Sequence, residues 1–305
     1  MTRTNQEKLK TETVKNGSGR FFYVSERKKI HNMKEMLLDL ALCMEPLQLR
    51  KQLAARRKSA QPDQALLSGL HRSLPPGLAA ARRKNLLQSG VFMLTYIDNE
   101  YPDRLRELPD PPLVLFGRGS PLLLKAPAIG VVGARKASQY GLRTARRFAG
   151  HLAGQGVAVV SGLALGIDGA AHRGALEARG PTIAVLGSGL DRIYPAAHRS
   201  LAGEIARHGL ILSEYPPHTP PDRHRFPERN RIVAALSERL LVVEAGERSG
   251  SLITAGFSLD LGRDVFCVPG DLDRPGSRGT NRLIADGAIP ALEPEDLLAF
   301  GWPDP

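Results

Sequence analysis

Cysteine is nearly absent: the 305 residues include only Cys43 and Cys267, far apart and outside any Cys-x-x-Cys spacing. Neither a disulfide framework nor a zinc ribbon is indicated, and a reducing compartment fits. Histidine is scattered, with no metal-ligand spacing among His198, His218 and His224, so no metal and no other cofactor is expected. Long apolar runs are missing too. The segment Met1 to Asn32 is polar, and nothing later approaches the roughly 20 apolar residues of a spanning helix. A cytoplasmic protein with no membrane partner is expected. Aromatic residues make up only 5% of the chain, few platforms for stacking bases. Acidic residues are in deficit, 31 Asp and Glu against 42 Lys and Arg, and the net charge of +11 favours a polyanionic partner.

What is present divides the chain. Residues 1–32 mix Lys, Arg, Thr, Asn and Gly without periodicity and read as a mobile tail. Over 33–95 the spacing of Met36, Leu37, Leu40 and Ala41, then Leu49 and Leu53, then Leu66, Leu67 and Leu70, is helical. Pro46, Pro62 and Pro75-Pro76 cut it into short helices, which predicts a small all-helical domain. Its basic runs, Arg56-Arg57-Lys58 and Arg82-Arg83-Lys84, read first as solvated helix faces and alternatively as secondary phosphate contacts. Residues 96–127, with the proline-punctuated Leu108 to Pro112, read as a connector feeding an edge strand. From 128 to 300 short Val/Ile/Leu runs alternate with amphipathic stretches, the pattern of a parallel sheet covered on both faces. The fold class expected is α/β, an extended Rossmann-like doubly wound sheet, with residues 301–305 as a tail.

Such sheets bind ligands beyond the C-terminal ends of their strands. The first long run ends in Gly133-Ala134-Arg135-Lys136-Ala137-Ser138, the second in Ser161-Gly162 with Gly166 and Asp168 after it, and the third in Gly187-Ser188-Gly189. A later one leads to Arg248-Ser249-Gly250-Ser251 at a helix start. Glycine permits close backbone approach, and free N–H groups at helix starts face anions. Several such turns along one sheet edge, beside Arg135, Arg199, Arg229 and Arg231, predict a track for successive phosphates, with Asn230 alongside.

These residues resemble the DNA-processing protein A family of bacterial transformation. The matching stretches are Gly130-Val-Val-Gly133-Ala-Arg135 with Ser138, Ser161-Gly162-Leu-Ala-Leu-Gly166-Ile-Asp168, Gly187-Ser-Gly189-Leu-Asp191 with Tyr194-Pro195, Ser213-Glu214-Tyr215, Phe226-Pro227-Glu-Arg229-Asn230-Arg231, and Arg248-Ser249-Gly250-Ser251-Leu252-Ile253-Thr254. They continue through Gly262-Arg263-Asp264 and Gly279-Thr280-Asn281, so the similarity covers essentially Tyr101 to Leu298. The resemblance implies a sterile-alpha-motif-like helical domain before the Rossmann-like one and sequence-independent single-stranded DNA binding. It also implies protection of incoming DNA and loading of the RecA recombinase. It implies a homodimer as well, with Asn281, Leu283, Ile284 and Ile289 as interface candidates, core packing being the alternative for each. The chain departs from the family in having Ala196-Ala197-His198-Arg199 where some members place a lysine, which makes Arg199 the candidate cation there. Many members continue into a winged-helix-like domain; this sequence reaches Pro305 after a short helix, so no such activity is expected of it.

Other classes fit less well. A dinucleotide site would want Gly-x-Gly-x-x-Gly after the first strand, and a triphosphatase Gly-x-x-x-x-Gly-Lys-Ser/Thr; neither run occurs. Gly-x-Ser-x-Gly is absent as well. The rival is a nucleotide hydrolase like the lysine-decarboxylase-like phosphoribohydrolases, but Thr254 falls where their catalytic glutamate would, and threonine cannot serve as its acid or base. Glu214, Glu244 and Asp264 near strand ends read as structural caps. No enzyme is expected, and a basic protein-interaction scaffold is the remaining alternative.

Overall fold

A computed structural model describes residues 11–15, 21–54 and 64–299. The Arg56-Arg57-Lys58 run, much of the expected tail and residues 301–305 lie outside the described residues. Strands β1 (Thr11–Lys15) and β2 (Phe21–Ser25) pair antiparallel. Four helices follow: α1 (Glu26–Cys43), α2 (Pro46–Ala54), α3 (Gln64–Arg72) and α4 (Leu78–Gln88). The tail expected to reach residue 32 is thus corrected at its end, since α1 already starts at Glu26. Within the part of α1 whose burial is described, Ile30 is 50% exposed and the first buried residue is Met33. Pro46 opens α2 at the position where a helix has no use for an N–H. Leu37, Leu40, Leu49 and Leu67 fill the space between these helices.

A nine-stranded sheet holds the rest. Its strands are β3 (Phe92–Thr95), β4 (Val114–Gly119), β5 (Ala128–Val132), β6 (Ala158–Ser161), β7 (Thr182–Leu186), β8 (Leu210–Ser213), β9 (Arg239–Val242), β10 (Asp264–Cys267) and β11 (Ile289–Pro290). The helices between them are α5 (Asp103–Arg106), α6 (Gln139–Gly154), α7 (Ile167–Glu177), α8 (Arg199–His208), α9 (Arg225–Leu236), α10 (Gly250–Asp260) and α11 (Arg278–Ala285). The order is β11-β10-β9-β5-β6-β7-β8-β4-β3, parallel from β11 to β8, with β4 antiparallel to β8 and β3 antiparallel to β4. This is the expected doubly wound α/β class. The strand after the prolines, β4, is not the edge, however: Phe92–Thr95 pairs along its outer side.

Strands β5 to β9 are buried along their whole length, which is why they read as unbroken apolar runs. Alternation survives underneath. Ala128 and Val132 pack with Ile232 and Leu236 of α9, whereas Ile129 and Val131 pack with Phe148 and Leu152 of α6. A third apolar cluster runs from Leu37, Leu40 and Leu49 of the N-terminal helices to Val114 and Phe116 of β4 and Leu201 and Ile205 of α8.

Buried charge joins the same units. Glu214, just past β8, accepts from Arg50 of α2 and, at 2.6 Å, from Arg231 of α9, and all three are under 8% exposed. Asp110 lies 3.7 Å from Arg50 Nε and 3.4 Å from Arg231 Nε. Glu45, between α1 and α2, accepts two bonds of 3.2 Å from the Arg225 guanidinium at the start of α9. Glu214→Ala would leave two buried guanidinium groups short of a counter-ion, so it is expected to cost about 3–5 kcal/mol. Glu177→Ala, which breaks an exposed pair with Arg146, should cost at most about 1 kcal/mol. Urea unfolding of both variants checks the contrast.

Candidate nucleic-acid interface

The chain lays down β5, β6, β7 and β8 outward in one direction, then returns to place β9, β10 and β11 on the other flank of β5. The loops leaving β5 and β9 therefore part, and a crevice opens above the strand ends. A cleft of about 900 Å³ occupies it.

Its floor is a buried charge pair. Arg229, on α9 and 4% exposed, donates to the Gly162 and Val185 carbonyls at the ends of β6 and β7. Asp168 accepts from the N–H groups of Gly162 and Ala164, both at 3.2 Å. Burial pushes the Arg229 guanidinium down to about 10 while Asp168 pulls it up, so it stays charged at neutral pH. Burial likewise raises the Asp168 carboxyl, and Arg229 is the chief influence opposing it. Gly162 has to be glycine because a Cβ there would run into this guanidinium.

The wall beside β5 is closed by Glu244, at the end of β9. Its carboxylate accepts from Ser138 N (3.1 Å to each oxygen) and from Ser138 Oγ (2.7 Å), and its carbonyl accepts from Ala134 N (2.7 Å). Ser138 Oγ in turn accepts from Gly141 N at 3.0 Å, capping α6. The start of α6, where dinucleotide-binding folds receive a phosphate, thus already holds the protein's own anion.

Several residues of the phosphate track read from sequence have side chains or close approaches directed inward. Ser138 is committed to Glu244. Gly133 packs against Ile167 and the Glu244 carbonyl, where a Cβ would stand 2.9 Å from the latter, and Gly166, at φ 79°, lies against the Ala134 carbonyl. Ser161 Oγ donates to Val131 O, and Ser188 Oγ to Arg192 O, both at 2.7 Å. Gly187 lies under the Phe226 ring, and Gly189 against the carbonyls of Pro216 and Pro217. Arg231 is spent on Glu214. Arg199 is exposed at the start of α8, outside the cleft lining. These close approaches explain the glycines without a ligand.

What the cleft does gather is Arg135, Asn230, Ser249, Gly250 and Ser251 around the Gly133, Gly162 and Arg229 floor. Ser249 caps α10, its Oγ 2.8 Å from Ser251 Oγ, and nothing lies within 4 Å of where a Gly250 Cβ would be. Asn230 Oδ1 accepts from Arg229 Nε at 3.2 Å. Lys136, Tyr194, Arg223, Phe226 and Arg248 also line the cleft, and none of them was among the site predictions. Phe226 and Tyr194 stand with ring centroids 5.5 Å apart, Tyr194 is 48% exposed, and the Arg135 guanidinium lies 5.3 Å over the Phe226 ring. The rings had been counted only as sparse stacking platforms; their convergence on Arg135 depends on tertiary contacts. Arg135, Lys136, Arg223 and Arg248 make no ion pair among the described residues. The lining carboxylates, Asp168 and Glu244, are each engaged by backbone N–H groups. Thr254, where a hydrolase would carry its glutamate, is 2% exposed. Among the described residues no cluster of His, Cys, Asp and Glu could hold a metal, and no helix is long and apolar enough to cross a membrane.

Residues 92–301 match the family model described as DNA recombination-mediator protein A. The chain belongs to this family. It is 42% identical over 226 residues to the DNA processing protein DprA of Bacillus subtilis, covering 74% of each chain. It superposes on the X-ray structure of DprA from Streptococcus pneumoniae with a TM-score of 0.72 at 34% identity, covering 88% of this chain and 96% of that one. A DprA structure from Helicobacter pylori, described for its single-stranded DNA binding mode, matches with a TM-score of 0.61 at 33% identity, over 68% of this chain and 94% of that one.

Of the dimer candidates, Asn281 ties both the N–H and the carbonyl of Gly270, at 3.0 and 2.8 Å. Leu283 and Ile284 pack partly buried on the core, and Ile289 is exposed on the edge strand β11. In this member of the DprA family the floor itself is open to test. Arg229→Met should cost about 3–5 kcal/mol by orphaning Asp168 and two carbonyls. Gly162→Ala, which drives a methyl into the same guanidinium, should cost about 1–3 kcal/mol. Denaturant midpoints of the two variants measure both.

Proposed function

We propose that this protein binds single-stranded DNA across the strand ends, without base preference, as a binding protein rather than an enzyme. The observation that carries the reading is the ring of cations with no ion pair among the described residues, Arg135, Lys136, Arg223 and Arg248, around the exposed Tyr194 ring and the half-buried Phe226 ring. Cations without carboxylate partners are free to exchange small counter-ions for phosphates. Ring faces accept bases whose own faces are free, as they are in a single strand. The first turn of α10, with Ser249 at its cap and open space over Gly250, adds backbone donors. Phosphate and ring contacts carry no sequence information. The Helicobacter pylori relative's single-stranded DNA binding mode supports the same assignment here. Among the described residues the cleft's carboxylates, Asp168 and Glu244, are both engaged by backbone N–H groups and Thr254 is buried, which supports binding over acid–base chemistry.

Within this reading the protein acts in the cytoplasm, protects incoming DNA and loads the RecA recombinase, a proposal that membership of the DNA recombination-mediator family supports. A homodimer formed beyond β10 through the region of Asn281, Leu283, Ile284 and Ile289, of which Ile289 is exposed, would hold two clefts on one strand. The domain division read from sequence, helices up to residue 95 and the sheet unit from 128 to 300, is proposed with one change: Phe92–Thr95 and Val114–Gly119 belong to the sheet unit.

Arg135→Glu should lower the affinity for a labelled single strand by at least about tenfold, with an unchanged melting curve. Arg135→Ala should reduce the slope of log affinity against log salt by about 0.7. Equal binding by wild type and Arg135→Glu would sink the assignment. A second test uses the Glu45–Arg225 tie, which anchors the start of α9 and thereby Phe226. Glu45→Gln removes a negative charge, so the overall field alone predicts tighter binding; the tie predicts binding weaker by a few-fold. Fluorescence anisotropy decides the sign, and the charge swap Glu45→Arg with Arg225→Glu should restore affinity.

A further inference from the structure

The loop after β10 encloses a second recess, of about 610 Å³. It shares Lys136, Glu244, Pro275 and Gly276 with the first cleft, so only a ridge separates them. That ridge is formed by Pro275 and Gly276 beside the Glu244 carboxylate. Gly276 lies so close to Glu244 that a Cβ on it would stand 2.8 Å from Oε1, and the Glu244 carboxylate is taken up by Ser138. A phosphate crossing there meets a bare glycine backbone and a carboxylate already held by donors.

The far side repeats the chemistry of the first cleft. Tyr140, at the start of α6, lines the recess with its ring 46% exposed. Arg274 projects from the β10 loop without an ion pair among the described residues, and Lys136 stands at the boundary, exposed and equally unpaired. Asp271 is on the rim, its Oδ1 accepting from Asp273 N at 3.1 Å. Cations, an exposed aromatic ring and carboxylates that accept from internal donors are features of the first cleft as well.

We propose that this recess is a second nucleotide subsite, which takes the continuation of the same single strand: a phosphate between Lys136 and Arg274, a base against Tyr140. The inference rests on the DNA-binding reading of the first cleft. It makes the Pro275-Gly276 ridge a step over which the strand passes, and it assigns the β10 loop to the interface.

The experiment is anisotropy titration of labelled oligothymidylates of increasing length. Wild type, Tyr140→Ala, Arg274→Glu and Arg274→Lys are compared, with Arg207→Ala on α8 as a charge-removal control and Arg135→Glu as the test of the first cleft. Tyr140→Ala and Arg274→Glu are expected to bind the shortest strands as wild type does, and to lose roughly five- to tenfold on strands long enough to fill both recesses. Arg274→Lys should keep most of the long-strand affinity, and Arg207→Ala should change little at any length. The subsite is overturned if Tyr140→Ala and Arg274→Glu follow the wild-type length dependence, or if they lose affinity equally at every length. If Arg135→Glu fails to weaken any strand, the first-cleft reading fails too. If Arg135→Glu weakens all strands while the recess variants do nothing, only the second subsite falls.

Discussion

A guanidinium shut away from water, that of Arg229, sets the ends of two central strands. By donating to the Gly162 and Val185 carbonyls it fixes how far β6 and β7 run before the chain turns. Asp168, held by the N–H groups of Gly162 and Ala164, balances its charge. A buried cation of this kind is costly to leave unpaired, so the turn, the glycine beneath it and the start of α7 are constrained together. The cleft has a rigid floor because that floor is a satisfied polar network.

The distribution of arginine partners divides the molecule by task. Arg50, Arg104, Arg225, Arg231 and Arg263 meet carboxylates and tie elements together. Arg135, Arg223 and Arg248 around the strand-end cleft make no ion pair among the described residues. Net charge alone cannot separate these two populations; the location of the acidic residues does. Glu214 and Glu45 serve the junction between the N-terminal helices and α9, and Glu244 seals the crevice wall, so the open surface there is left basic.

The sheet was legible in the sequence because burial on both faces makes a strand an unbroken apolar run. The site was legible at the level of loops and less so at the level of atoms. Gly162 and Gly166 are glycines at the expected strand end, but the close approach they permit is to Arg229 and to the Ala134 carbonyl. Arg231 is indistinguishable from a surface cation until Glu214, 17 positions earlier, is seen facing it. Phe226 and Tyr194 meet only through tertiary folding. Each miss has one cause: local pattern reports whether a residue is wanted at a turn, and the identity of its neighbour is not local.

The apolar cluster that runs from α1 and α2 into β4 and α8 bears on how the protein comes apart. Severing the chain between α4 and β3 would leave both pieces with a wet apolar face, since neither owns that cluster outright. The helices therefore share the fate of the sheet: amide protons at the centre of α1 and of β4 should exchange through the same opening event, with the junction as their common clock.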